Sequence, residues 1–364
     1  MASAYLFLQL YYLWYWLKTP EIIVPAEFIP SLKITVVVVA HNEEACIESC
    51  IEGILNQNYP DELFEIIVID DRSSDGTVER IEKLQSPLVR IFHLTDYPEF
   101  IHPPAYKKSA IELAVKMAGH DWIVVTDADC IHPAECLRNI SFSQSTTAAV
   151  FLAAPISYAS RNSLLEKMQE MEMSVLMLIT AAGIRSGLHD MANGANMSFS
   201  KKAFNEVHGY EGNYQYTSGD DMFLIEKMRF AFPDQIAFVK SGQAIVETKP
   251  HKDWTSLIKQ RLRWAGKNKG LQSPVIRMIW VFVGLYYLMI FLTIILAIFH
   301  LTSWWPLLIL LLLKWIGDFT ILNQATRFFK KRLILYYFIP LQMMYGIYIL
   351  VLAYFIAIRK KGDW

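Results

Sequence analysis

The chain has 364 residues, room for one sizeable domain plus additional elements at roughly 100–200 residues per domain. Hydrophobic residues make up 54% of it, and the excess is concentrated at the two ends, unlike an ordinary soluble enzyme. A net charge of −1 leaves no basic stripe for nucleic acid, so that class of partner is set aside.

In chain order, Ala4–Leu17 is an apolar, aromatic run closed by Lys18. It falls short of the ~20 residues of a full span. It also lacks the basic leader and small-residue cleavage site of a signal peptide. Residues 1–18 therefore read as a membrane anchor, tilted or partly interfacial, with an aromatic belt.

Lys33–Gly270 predicts an α/β catalytic unit. Ile34–Val39 is a buried-strand run ending at Ala40-His41-Asn42-Glu43, with a helix to Asn56 and a stop at Asn58-Tyr59-Pro60. Phe64–Ile69 is a second strand, and Ser73-Ser74-Asp75-Gly76 is a turn offering an N-cap to a helix from Thr77. Val89–His93, a helix over Ala110–Met117 and a strand at Ile123–Thr126 continue the alternation. That order implies a mostly parallel, helix-covered sheet.

Ligands of such sheets bind beyond the carboxyl ends of the strands. Asn42-Glu43, Asp70-Asp71 and Asp127-Ala128-Asp129 all stand there. No GxGxxG or GxxxxGK[ST] lies near these strand ends, so phosphate needs another holder, and a divalent metal on carboxylates is the candidate. Asp127 and Asp129 offer hard oxygen donors suited to Mg²⁺ or Mn²⁺ together with a diphosphate, though a lone DxD is also an ordinary surface turn. Asp70 and Asp71 either cap a strand-end turn or accept hydrogen bonds from a nucleobase or ribose. Lys108, placed before a helix start, is either exposed or a phosphate contact.

Ser218-Gly219-Asp220-Asp221 precedes a helical run from Met222 to Phe230. The acidic pair complements the helix dipole, or Asp221 is a general base with Asp220 orienting it or raising its pKa. A helix over Trp254–Gly266 sets Gln260, Arg263 and Trp264 on one face. There Arg263 can neutralise a departing diphosphate and Trp264 can stack on a sugar. The same helix, with Arg261, Lys267 and Lys269, can equally rest on lipid headgroups.

Val275–Phe299 and Leu333–Ile358 are long enough to span, and Leu301–Leu322 is apolar but carries Lys314 and Asp318 at i,i+4. If all these segments in 275–358 span, Lys330-Lys331-Arg332 and Arg359-Lys360-Lys361 fall on opposite sides. Cys46, Cys50, Cys130 and Cys136 form no CxxC pair and fit a reducing compartment.

Taken together, VVVVAHNEE at Val36–Glu44, IDDRSSDGT at Ile69–Thr77, TDADC at Thr126–Cys130, SGDD and QRLRW at Gln260–Trp264 resemble the membrane-integrated members of glycosyltransferase family 2. Cellulose, chitin and hyaluronan synthases and ceramide glucosyltransferases belong there. The resemblance covers most of Lys33–Lys267. It implies a GT-A fold, a nucleotide-sugar donor (usually UDP-linked), a divalent metal and inversion at the anomeric carbon. It further implies that Asp71 and Glu43 contact the nucleoside, that Asp127 lies near the nucleotide and that Asp129 binds metal. Lys108 matches the lysine before a small-apolar helix start, and Asn193–Tyr210 the segment shaping the acceptor side. Asp221 takes the base position beside Asp220, while Gln260, Arg263 and Trp264 line the diphosphate and acceptor end.

Departures from the pattern are Ala40, where the family often has Pro, the lack of a regulatory domain after the membrane part, and a small membrane region. The expected activity is transfer of a sugar to a lipid or growing-glycan hydroxyl, catalysed on the cytosolic face of a membrane. A processive polysaccharide synthase and a non-catalytic membrane scaffold are the alternatives, and the carboxylates at Asp127, Asp129, Asp220 and Asp221 count against the scaffold.

Overall fold

The computed structural model describes residues 1–159, 163–267, 270 and 273–358. Lys269 and the Arg359-Lys360-Lys361 run singled out above lie outside the described residues. The chain opens with helix α1 (Ala2–Lys18), then strand β1 (Ile34–Ala40), α2 (Ile47–Leu55), β2 (Phe64–Asp70), α3 (Thr77–Glu82) and β3 (Val89–His93). It continues through α4 (Tyr106–Met117), β4 (Trp122–Asp127), α5 (Cys136–Thr147), β5 (Phe151–Ala153), β6 (Ile156–Tyr158) and α6 (Leu164–Ser186). Then come β7 (Met197–Ser200), α7 (Lys201–Glu206), α8 (Asp220–Ala231), β8 (Ile236–Phe238), β9 (Val246–Thr248) and α9 (Trp254–Lys267). The chain closes with α10 (Pro274–Ile298), α11 (Trp305–Phe328) and α12 (Phe338–Ile358).

Among the described residues, seven strands form one sheet in the order β3-β2-β1-β4-β7-β5-β8. The first four pair in parallel, as the alternation of strands and helices predicts, whereas β7 runs antiparallel to both β4 and β5. Both faces of β1 are covered. Val37 packs into one hydrophobic core with α4 and α6, and Val36 and Val38 pack into another with α2. A strand buried on both sides needs a continuous apolar run, which ITVVVVA supplies. Each such side chain contributes about 1.5–3 kcal/mol on burial.

Strand order reverses direction between β1 and β4, the switch point at which a crevice opens. The register pairs Ala40 with Asp70 and Val39 with Asp127, so the acidic loops leave the sheet side by side.

Helix α1 is built into the protein rather than set apart from it. Tyr12 and Trp16 join the same core as Val37, and Trp16 meets Phe328 of α11 edge-on, with ring centroids 5.1 Å apart. Among the described residues, three helical segments, Pro274–Ile298, Trp305–Phe328 and Arg332–Ile356, are long and apolar enough to cross a membrane. Lys314 and Asp318 face their neighbours. The Lys314 ammonium donates to Asp318 and to Gln342 of α12, and the Tyr5 hydroxyl of α1 donates to Asp318 at 2.7 Å. The polar pair is thereby the joint between helices. All four cysteines are free thiols.

His132 and His189 are buried, and loss of hydration holds each down from the ordinary 6.5 to about 4. Between those values the unfolded chain takes up protons that the folded chain refuses, so stability falls as pH drops from 6.5 toward 4. His189 Nε2 lies 2.8 Å from the Tyr12 hydroxyl, so this loss loosens the seat of α1. The melting temperature of the purified protein is expected to decline through that window, and His189→Gln, neutral at every pH, to flatten the decline. An unchanged slope in the variant contradicts this assignment.

Candidate functional site

The loops leaving β1 and β2 are sewn together before any ligand is considered. Asn42, at φ 55°, donates its N–H to Ser73 Oγ at 3.0 Å and accepts from the Ser74 N–H at 2.8 Å. The Glu43 N–H donates to Thr77 Oγ1 at 2.8 Å, and the Glu44 N–H to Asp75 at 3.2 Å. The expected N-cap for α3 takes a different form, because Gly76 occupies that position and offers no side chain. Asp75 serves instead, accepting from the Thr77 N–H at 3.1 Å.

Asp70 and Asp71 are both buried. Asp70 accepts the Ser73 N–H at 3.1 Å and lies 3.1 Å from His93 Nδ1. Asp71 pairs with Arg72 Nε at 2.8 Å, and the Arg72 guanidinium stacks over Tyr106 at 3.6 Å.

Asp127 and Asp129 end β4 close to Glu43. Burial, then the charges of Asp129 and Asp127, push the Glu43 carboxyl up to about 7. Burial, then Asp127, raises Asp129 as well, although Thr248 Oγ1 of β9 donates to it at 3.0 Å. Crowded, partly desolvated carboxylates of this kind are stabilised by a cation. No group of three or more His, Cys, Asp or Glu side chains converges for a metal among the described residues. Asp127 and Asp129 fit a hard ion that takes one or two carboxylates and completes its shell from phosphate and water.

A cation that the structure places there is Lys107. Its ammonium lies 2.6 Å from Asp127 Oδ1 and 3.2 Å from Asp220 Oδ2, joining the end of β4 to the start of α8. Burial opposes its charge, but Asp127 and Asp220 together raise its pKa. Gly194 makes room for this pairing, since a Cβ there would stand 2.6 Å from Asp220 Oδ2 and 2.8 Å from Lys107 Nζ.

Lys108 is corrected by the structure. It lies inside the first turn of α4, not before it, and is 1% exposed. Its ammonium donates to the carbonyls of Tyr216 at 2.6 Å and Ser218 at 2.9 Å, bracing the loop that leads into α8. The missed residue is its neighbour. In the Lys107-Lys108 pair, helical rotation of about 100° per residue turns only one toward the cleft, and a helix start read four residues too late hid which.

Asp221 Oδ1 accepts the Met222 N–H at 2.6 Å, and Gly219 caps the helix at φ 90°. The acidic pair thus occupies the first turn of α8 as the dipole reading requires, and opens onto the same cleft through Lys107. Ser218 Oγ donates to the Arg263 carbonyl at 3.2 Å, drawing α9 against this loop. The Arg263 side chain is exposed, and Gln260 and Trp264 are half-buried.

Between them stands Arg261, which no sequence argument had singled out for the site. Its Nη1 donates to Gln260 Oε1 at 2.9 Å, and its guanidinium lies 4.2 Å from the Trp264 ring centroid. Glu172 of α6 pairs with it, and Tyr348 of α12 lies 3.2 Å from its Nε. Thr248 was missed as well, because a three-residue strand such as β9 carries too little periodicity to read.

A glycosyl transferase family 2 domain matches residues 35–207, and a glycosyl transferase family group 2 domain matches residues 122–357. A poly(ribitol-phosphate) beta-glucosyltransferase of Bacillus spizizenii is 27% identical over 122 residues, 33% of this chain and 19% of that protein. A poly-beta-1,6-N-acetyl-D-glucosamine synthase of Staphylococcus epidermidis is 24% identical over 250 residues, covering 68% of this chain and 56% of the relative. The matches therefore span only a fifth to just over half of these curated relatives. Among solved structures, a mannosyltransferase from Pyrobaculum calidifontis in complex with GDP-Man and Mn²⁺ shares the fold at TM-score 0.58 and 17% identity, over 99% of this chain and 100% of that one.

The two lysines are separable. Lys108→Met leaves the half-buried Tyr216 and Ser218 carbonyls short of a donor and is expected to cost about 1–3 kcal/mol of stability, read as a lower melting temperature. Lys107→Met removes an ammonium that competes for Asp127, so Mn²⁺ should bind the cleft more tightly, as measured by the free-ion spin-resonance signal. Unchanged Mn²⁺ affinity contradicts the placement of Lys107.

Proposed function

The chain belongs to glycosyl transferase family 2, and from that premise we propose that it transfers a sugar from a nucleotide-sugar donor, UDP-linked in the family's usual form, to a hydroxyl of a lipid or a growing glycan. The observation that carries this reading is the meeting of Asp127 and Asp220 on Lys107, which sets a donor-side carboxylate and an acceptor-side carboxylate in one cleft.

On this reading Asp71 and Glu43 receive the nucleoside, and Asp127 and Asp129 hold Mg²⁺ or Mn²⁺. A bound metal supplies charge neutralisation for the departing diphosphate. Asp221 accepts the acceptor's hydroxyl proton as that oxygen bonds to the anomeric carbon. The bond from that carbon to the diphosphate breaks, and the electron pair leaves with the nucleoside diphosphate, inverting the centre. Asp220, held by Lys107, stands beside the base. Arg263 meets the leaving diphosphate at the cleft mouth, and Gln260 and Trp264, set by Arg261, line the acceptor end.

The division into an anchor (1–18), a GT-A catalytic domain (33–270) and membrane helices (275–358) belongs to the same proposal, with the catalytic domain on the cytosolic side. Support comes from Lys18 and from the Lys330-Lys331-Arg332 turn, whose Lys331 ammonium bonds to Glu170 and to the Tyr158 carbonyl of the sheet region. That contact puts a basic turn on the catalytic side, in keeping with positive-inside placement. A second reading, repeated transfer to one growing polymer, is favoured by the relation to the Staphylococcus epidermidis synthase. Product size separates the two.

The test is nucleoside diphosphate release by the purified protein from a panel of UDP- and GDP-sugars. Asp221→Asn is expected to lower turnover by roughly 10²–10⁴-fold, the usual share of positioned acid–base catalysis. Nucleotide affinity should persist, and so should the fold, since Asn serves a helix N-terminus nearly as well as Asp. Near-normal turnover in that variant removes Asp221 from the mechanism.

A further inference from the structure

The turn between α11 and α12 carries a feature that sugar transfer does not use. A cavity of about 780 Å³ opens there, lined by Arg327, Lys330, Arg332, Leu333, Leu335 and Tyr336. The three cations are exposed, and their side chains make no hydrogen bond or ion pair with any described residue. Leu333 and Tyr336 beside them are 74% and 84% exposed, so an apolar and aromatic edge adjoins the charge. The turn itself is fixed. Lys330 sits at φ 56°, the Lys331 N–H donates to the Thr326 carbonyl at 2.8 Å, and the Lys331 side chain is tied to Glu170 and to Tyr158. The turn therefore aims one lysine inward as a tether and leaves its neighbours outward.

Three unpaired cations at the shared end of two apolar helices, bordered by exposed Leu and Tyr, match a ligand with an anionic head and an apolar tail. We propose that this cavity seats the phosphodiester headgroup of an anionic phospholipid, with its acyl chains against the apolar surface of α11 and α12. The inference rests on reading these helices as membrane spans and is independent of the catalytic roles. It also links lipid to catalysis by a short path. Lys331 holds Tyr158 of β6, which pairs with β9, and Thr248 of β9 donates to Asp129.

The test uses the full-length protein in non-ionic detergent, titrated with phosphatidylglycerol or phosphatidylcholine, with retained lipid counted by native mass spectrometry. Phosphatidylglycerol should be retained preferentially. A combined Arg327→Gln, Lys330→Gln and Arg332→Gln variant should lose affinity on the order of 100-fold, each cation near a headgroup being worth roughly fivefold. A control variant with Lys83→Gln, Lys116→Gln and Lys202→Gln, exposed lysines distant in the fold, should bind as the parent does. Equal retention of the two lipids, or equal loss in the control variant, overturns the proposal. So does displacement of phosphatidylglycerol by millimolar inorganic phosphate, which would mean that the cavity takes the free anion. Because the readout is bound lipid, these results stand whether or not sugar transfer is detected.

Discussion

Lys107 between Asp127 and Asp220 is the contact on which the rest of the cleft depends. Carboxylates from β4 and α8 cannot share a partly desolvated space without a compensating charge. At about 4 Å two like charges repel by several kcal/mol at the effective dielectric of a protein surface. One ammonium bridges both. Its position follows from the sheet, because α4 packs on β1 and β2 and carries Lys107 to the crevice. Burial, then neighbouring carboxylates, raise the Glu43 and Asp129 carboxyls, and negative charge gathered there suits a divalent ion.

A second constraint runs from the cleft into the helical bundle. Arg261 is buried and satisfied by Glu172 of α6 and Tyr348 of α12, while its other contacts fix Gln260 and Trp264. Leaving a buried guanidinium without its carboxylate costs several kcal/mol, so this arrangement is hard to deform. The positions of Gln260 and Trp264 are therefore set by the contacts of α9 with α6 and α12. Deeper in, Lys314, Asp318, Gln342 and Tyr5 hold α1, α11 and α12 together by the same means. The charged pair within an apolar segment thus joins the helices to one another.

Much of this was legible because buried parallel strands write continuous apolar runs. ITVVVVA and FEIIVID declare β1 and β2, and their register brings His41-Asn42-Glu43 beside Asp70-Asp71. Of the acidic motifs, those at Asp127 and Asp220 meet on Lys107. Short strands did not declare themselves. β5, β6, β8 and β9 have three residues each, so Thr248 carried no signal. The exchange of roles between Lys107 and Lys108 turns on a helix starting at Tyr106, where no side-chain cap marks the boundary. Arg261 was visible only as one more cation on a basic helix. Its importance comes from partners 89 and 87 residues away in the chain, which periodicity cannot register.

The account stands or falls on whether the loops after β2 and β4 form one nucleotide site. Calorimetric titration of the purified protein with UDP and with GDP, with and without Mn²⁺, measures this directly. Metal-dependent binding of one nucleotide is expected, abolished by Asp129→Ala and weakened by Asp71→Ala, with both variants melting near the parent temperature. Binding that survives both substitutions, or that ignores the metal, would contradict the account.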